Sequence, residues 1–392
     1  MILDSMLMGM PLSARRRVEA ALDNLSVVLQ MRNPRVFASM APSALRGLVL
    51  KEGKRKDGVA MKSTHPVSFD FTYRLDFPEM DKLYRRAVAN QWDADTALDW
   101  SINVDPLNPE VPIISNDFIP EAVFDELPVR FTQQQRQELN YHLAAWMLSQ
   151  FMHGEQGALY ASAQVTESVE WLEGKLFGGT QVMDEARHLD VFHRYLDRKL
   201  NKVYQINDNL FVILDDLLTD ARWDFKFLGM QIMVEGLALG AFRTLHNMSA
   251  EPLLKELLKY VIRDEARHVH YGVMALKNHF TQALSETERR EREDWAFEVA
   301  VLMRNRFMAH EVFEEWFEGI ISRQRWNDIV LNSPAMKTFR ATMFERLIPN
   351  LDFIGLMTQR IRPHYEKFGM LDFLRGKNAS QLSEHDMVAD LR

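Results

Sequence analysis

The feature that most constrains this chain is a repeated pentapeptide. Asp184-Glu185-Ala186-Arg187-His188 returns letter for letter as Asp264-Glu265-Ala266-Arg267-His268, 80 residues later. Glu155 stands 30 residues before Glu185, and Glu235 stands 30 before Glu265; each has Ala at +3 and Leu at +4. On an α-helix, Glu and His three residues apart share one face. A 30-residue gap fits two antiparallel helices, with a ligand at mid-height on each and a turn between. Two such hairpins folded together would aim four carboxylates (Glu155, Glu185, Glu235, Glu265) and two imidazoles (His188, His268) at one point inside a bundle. A chance Glu-x-x-His on a solvated helix face explains one such motif, but not two with equally offset partners.

The neighbours of these residues argue for burial. Leu148, Phe151, Met152, Ala158 and Leu159 share the face of Glu155. Leu228, Ile232, Ala238, Leu239 and Phe242 share that of Glu235, interrupted by Gln231. An ionised glutamate in an apolar stripe is costly unless a cation compensates it. Four carboxylates balance two divalent ions, with neutral histidines completing the ligand set. Oxygen and imidazole donors without sulfur suit iron or manganese. The chain has no cysteine, which excludes disulfides, iron–sulfur clusters, thiolate zinc sites and a cysteine nucleophile. Asp184 and Arg187, like Asp264 and Arg267, are spaced for local ion pairs. Each Asp is also placed to orient a histidine across the bundle, Asp184 serving His268 and Asp264 serving His188.

These motifs resemble the ferritin-like di-iron carboxylate oxygenases. In pattern they are similar to the hydroxylase α subunit of bacterial multicomponent monooxygenases, which uses the same Asp-Glu-x-Arg-His signature. The segment from Asn90 to Trp100 (NQWDADTALDW) looks like the Trp-containing lead-in of related ferritin-like oxygenases, so the resemblance spans about residues 80–280. It implies a non-heme di-iron monooxygenase that uses dioxygen as co-substrate to oxygenate a small organic substrate. The cofactor would be two iron ions or a manganese/iron pair, with Glu155, Glu185, His188, Glu235, Glu265 and His268 as metal ligands. Lacking cysteine for a relay, the chain would take electrons from an external donor, a ferredoxin or reductase. A di-metal oxidase or ligand-binding protein is the alternative, with iron storage behind it. Two departures narrow the resemblance. Phe192 stands where radical-generating ribonucleotide reductase subunits commonly place tyrosine. Val261 stands where arylamine N-oxygenases place an extra histidine; Gln181 is its counterpart in the first repeat and a candidate neighbour of the ligands.

The rest of the chain bounds these expectations. Across 392 residues, 47 basic against 55 acidic residues give a net charge of −8, which argues against nucleic acid as a partner. Glycine and proline are few (17 and 14), favouring long regular elements. No uninterrupted apolar run reaches bilayer length, and the N-terminus places apolar residues before basic ones, the wrong order for a secretory signal. The expectation is a soluble cytoplasmic protein with no membrane association, and a homodimer is one assembly considered. Its predicted fold is all-α, a ferritin-like four-helix bundle over residues 126–284. An N-terminal wrapping segment, 1–125, and C-terminal helices with a flexible tail, 285–392, flank it.

Predicted helices cover Ala14–Leu29, Pro78–Asn90, a span opening at the N-cap Thr132, Val182–Leu196 with its start blurred by Gly178-Gly179, Asp220–His246, and Ser249 to about His279. Others begin at Ser285 and cover Ser333–Leu347 and Asp352–Phe368. Lys51–Asp57 reads as an exposed loop, Asp105–Pro128 as a proline-punctuated surface connector, and the chain from Gly376 as a polar tail. Glu288–Trp295 reads as a solvated face or a docking surface. His193 is assigned a supporting or structural role, His153 and His270 point away from the ligand faces, and Tyr271 is assigned to the core. The small residues Gly157, Ala158, Ser162 and Gly272 either leave room for a substrate or allow close helix packing.

Overall fold

The computed structural model describes residues 2–28, 33–115, 118, 124, 127–389 and 391. Leu29 and most of residues 116–126 of the connector therefore lie outside the described residues, as does the bundle boundary at 126. Among the described residues there are helices and no strands. Fourteen carry the argument: α1 Leu12–Val28, α2 Pro34–Ala44, α3 Pro78–Ala89, α4 Gln133–Ser168, α5 Leu172–Arg194, α6 Asp208–Thr219, α7 Trp223–Met248, α8 Pro252–Asn278, α9 Glu286–Arg306, α10 His310–Trp316, α11 Arg323–Asn332, α12 Pro334–Phe353, α13 Arg362–Glu366 and α14 Glu384–Ala389.

The centre is a four-helix bundle of α4, α5, α7 and α8, in which α4 packs along α5 and α7 along α8. Local chemistry sets their starts. Thr132 and Gln135 form a reciprocal capping box at α4: the hydroxyl accepts the Gln135 N–H at 3.2 Å, and the Gln135 side chain accepts the Thr132 N–H at 2.9 Å. Helix α8 opens on Pro252, with the Glu251 carboxylate accepting the N–H groups of Leu253 and Leu254. Helix α5 starts at Leu172, a decade before the apolar pattern becomes legible, and runs straight through Gly178 and Gly179. Gly178 is there because α4 crosses so closely that a Cβ would sit 2.3 Å from the Thr166 hydroxyl.

Helix α7 is not uniform. Residues Leu228–Val234 form π-helical turns, directly before Glu235. Such insertions rotate the following residues about the axis and recur at functional sites. This helix is also long and apolar enough to cross a bilayer by composition, and that apolar window is almost entirely buried inside the protein.

Flanking elements close around the bundle. Helix α3 lies on α5 and α8, α6 fits between α4 and α9, and α12 packs on α7. Four expectations are corrected here. The Lys51–Asp57 stretch is exposed only from Arg55 onward, because Lys54 pairs with Glu311 at 2.8 Å and Lys51 pairs with Asp208. The predicted Asp352–Phe368 helix is interrupted: α12 ends at Phe353, Gly355 takes φ +92°, and only the short α13 follows. The chain beyond Gly376 is no loose tail, since α14 docks on α8 and buries Met387 to 3% exposure. The charged Glu288–Trp295 run is solvated only as far as Arg290 and turns inward from Glu291: Arg292 bonds Asp224 at 2.8 Å, Glu291 meets Arg222 at 3.0 Å, and Glu293 meets Arg360 at 2.6 Å.

Candidate metal centre

Helices α4, α5, α7 and α8 bring Glu155, Glu185, His188, Glu235, Glu265 and His268 into one cluster at mid-bundle. All six are between 0 and 5% exposed. One ligand atom each from Glu155, Glu185, His188 and Glu265 lies within 4.8 Å of the others; the same holds for Glu185, Glu235, Glu265 and His268. Glu185 and Glu265 belong to both quartets and so would be shared by two ions, while Glu155 and Glu235 each belong to one. His188 Nδ1 lies 3.4 Å from Glu155, 3.5 Å from Glu185 and 3.1 Å from Glu265. His268 Nδ1 lies 3.1 Å from Glu185 and 3.4 Å from Glu265.

These donors fit a pair of cations better than they fit each other. Glu185 Oε2, Glu235 Oε2, Glu265 Oε1 and His188 Nδ1 are fully buried, with no hydrogen-bond partner among the described residues. His188 Nδ1 is therefore close to three carboxylates without being aligned on any, as expected when lone pairs share a common target rather than a proton. The electrostatics agree. Burial, reinforced by the Glu265 charge, pushes the Glu155 and Glu235 carboxyls well above the usual range. Burial also opposes charge on Glu185, but His268 and His188 hold it below that range. Burial opposes the imidazolium of His188, yet Asp264 and the surrounding glutamates raise its pKa; Glu185 and Glu265 do the same for His268. With no cation the cluster must retain protons, and divalent ions would displace them. The buried Glu/His cluster is consistent with a dimetal site.

Around it the pairing crosses between helices. Asp264 Oδ2 accepts from His188 Nε2 at 3.2 Å, and Asp184 Oδ2 accepts from His268 Nε2 at 3.1 Å. Each aspartate thereby fixes the tautomer that leaves Nδ1 free toward the cluster. Arg187 bonds both aspartates, Asp264 at 3.1 Å, and Arg267 pairs with Asp264. Gln181 Nε2 donates to Glu235 Oε1 at 3.0 Å and to Glu185 Oε1 at 3.1 Å. Phe192 is fully buried among Phe151 and Phe242, with ring centroids 6.2 and 5.8 Å away.

Three participants carried no assigned role in the sequence. Trp92 Nε1 donates to Asp264 Oδ2 at 2.7 Å, and the Arg187 guanidinium lies 4.7 Å from its ring. Gln91 donates to Asp184 at 2.9 Å and accepts from Arg187 at 2.9 Å. Gln231 Nε2 donates to Gln181 Oε1 at 3.3 Å. The signal for Gln231 was its polarity within an apolar stripe. Gln91 and Trp92 lie on a remote segment, whose docking no local pattern reveals.

Lesser candidates resolve simply. His193 is exposed and takes no part in the cluster. His153 bonds the Tyr204 carbonyl at 2.9 Å, and His270 is half-buried outside the cluster. Tyr271 is a core residue whose hydroxyl donates to the Gly174 carbonyl at 2.8 Å. Gly157 and Gly272 serve close packing, since added Cβ atoms would lie 2.5 Å from Leu214 and 2.6 Å from Gln231.

No family model matches the chain, and no curated protein matches it. Among solved structures, the X-ray crystal structure of Streptococcus sanguinis dimanganese(II)-NrdF matches over 74% of this chain and 92% of that chain, with 12% identity and a TM-score of 0.48. Among the described residues the protein is all-α, a four-helix core holding a buried carboxylate–histidine cluster consistent with a dimetal site.

Proposed function

We propose that this protein is a non-heme di-iron oxygenase that uses dioxygen to oxygenate a small organic substrate, with an external ferredoxin or reductase as electron donor. The observation that carries the reading is the convergence of four buried carboxylates and two imidazoles with unsatisfied lone pairs. Glu155, Glu185, His188 and Glu265 would hold one ion; Glu185, Glu235, Glu265 and His268 the other. The chemistry that a pair of irons supplies in such a ligand set is the reduction and cleavage of dioxygen.

The chain's own residues do the rest. Asp184 and Asp264 keep the protons of His268 and His188 on Nε2. Phe151 and Phe192, one helical turn from Glu155 and His188, pack with Phe242 and exclude water on that side. Phe192 lacks a phenol hydroxyl and so cannot store a radical there. Trp92, Asp264 and His188 form a hydrogen-bonded route from near the surface to the cluster, which supports electron entry on that side.

The test is to load the protein with iron(II) anaerobically, count the metal, and mix it rapidly with dioxygen. About two irons per chain and a transient visible absorbance are expected. Zinc, or no metal, in protein from iron-replete cells would overturn the reading. A manganese/iron content with no substrate oxidation would move it to a di-metal oxidase.

A further inference from the structure

The two halves of the cluster are related by the 80-residue repeat, and the inner ligands obey it closely. His188 and His268 lie 3.2 and 3.1 Å from their crossed aspartates, and each lies 3.1 Å from one of the two glutamates common to both quartets. One helical turn outward, the relation fails. Gln181 corresponds to Val261, Gln231 to Phe151, and Gly272 to Phe192. The position bounded by Glu155 and His188 therefore adjoins phenyl rings, with Phe151 and Phe242 4.7 Å apart. The position bounded by Glu235 and His268 adjoins an amide chain: Gln231 donates to Gln181, and Gln181 donates to both Glu235 and Glu185.

With Glu185 and Glu235 ionised, as metal binding requires, that chain has one workable direction. Reversing the Gln181 amide would aim its carbonyl oxygen at two carboxylates. Gln231 holds the favourable sense by donating to that carbonyl, and both glutamines are 0% exposed. Gln231 can come this close only because position 272 has no side chain. Orientation therefore passes from Gln231 through Gln181 to Glu235 and to Glu185 Oε1, the oxygen on the His268 side, and not to Glu185 Oε2, which faces His188. Glu155 has no amide counterpart: His188 lies 3.4 Å from it, and its other neighbours in the cluster are the carboxylates Glu185 and Glu265.

Resting on the dimetal reading above, we propose that the two metal positions are unequal by construction. Gln181 is a positioning residue that pre-orients Glu235, so the Glu235/His268 position fills first and binds more tightly. The Glu155/His188 position, beside the phenyl rings, fills second and keeps the more mobile carboxylate. Hydrogen bonds that fix a ligand's orientation commonly alter metal affinity about 10- to 100-fold.

The test is an equilibrium titration of chelator-stripped full-length protein with manganese(II), following free manganese by electron paramagnetic resonance. Wild type should bind two ions with affinities at least about tenfold apart. Gln181→Val, which copies Val261, should weaken the tighter ion about 10- to 100-fold and move the other by less than about threefold. Gln231→Leu, which touches no carboxylate, should shift the same ion in the same direction, and it decides the matter if Gln181→Val fails to fold. Singly loaded cobalt(II) protein supplies a readout that a purely structural role would not move: its visible spectrum should change in Gln181→Val. Equal affinities in wild type, or equal weakening of both ions by the variants, or an unchanged cobalt spectrum, would overturn the proposal while leaving the dimetal site standing. Failure of wild type to bind manganese or cobalt at all would overturn both.

Discussion

At the scale of single residues, membership of one quartet or two makes separable predictions. Glu185 lies in both, so Glu185→Ala should abolish binding of both ions and all activity. Glu155 lies in one, so Glu155→Ala should retain about one ion per chain. Metal counting on the folded variants checks both, and full loading of Glu185→Ala would mean that the ligands are elsewhere. Trp92→Phe keeps the ring but removes the 2.7 Å bond to Asp264, loosening the aspartate that orients His188. It should keep metal bound while lowering turnover roughly 10- to 100-fold, a range typical of such supporting contacts; unchanged turnover would remove Trp92 from the working site.

At the scale of elements, glycines show where helices touch. Gly240 in α7 faces the backbone of α12, where an added Cβ would meet the Met343 Cα and the Thr342 carbonyl at 2.6 Å. Gly240→Ala must push two helices apart and should cost roughly 1–3 kcal/mol. Gly179 in α5 is exposed, with nothing within 4 Å of such a Cβ. Gly179→Ala should therefore stabilise by about 0.4–1 kcal/mol, through lower entropy of the unfolded chain. Denaturant melts of the pair test the assignment. The same contacts explain what the sequence disclosed. The helices bearing Glu155, Glu185, Glu235 and Glu265 were legible because periodicity, caps and the repeat are local signals. The start of α5 was not, because Gly178 is tolerated in the helix for a reason that lies on α4. The docking of α14 was hidden too: its polar sequence gives no cue that Met387 and Glu384 meet α8, with Glu384 3.8 Å from Arg267. Among the cluster's neighbours, Asp184 and Asp264 came with the motif, whereas Gln91, Trp92 and the amide chain depended on tertiary approach.

At the scale of the whole molecule, buried titrating groups set how stability varies with pH. Burial pushes the Asp216 carboxyl up to about 7, although the Trp295 indole N–H donates to it at 2.7 Å. Between pH 3.8 and 7 the folded chain holds a proton that the unfolded chain has lost, so this group's contribution is full at low pH and lost as pH rises through 7. The difference amounts to roughly 4 kcal/mol, at roughly 1.4 kcal/mol per pH unit. His310 acts in the opposite sense. Burial and Arg323 press its pKa down to about 3, with Nδ1 accepting from Arg323 at 2.6 Å and Nε2 donating to Asn327 at 2.7 Å. Its contribution is present above about pH 6.5 and lost as pH falls toward 3. Asp216→Asn keeps an acceptor for Trp295 and should match wild type near pH 4 but exceed it at pH 8, moving the stability optimum upward. Parallel melts at the two pH values check this, and an unchanged optimum would refute it. The cluster at mid-bundle has a different global consequence. Its six side chains are 0–5% exposed, so an ion arriving or leaving must wait for the helices to part. Exchange is then governed by the frequency of that opening and not by affinity alone. An ion found in a purified sample would in that sense be a memory, recording which metal was abundant when the bundle last closed.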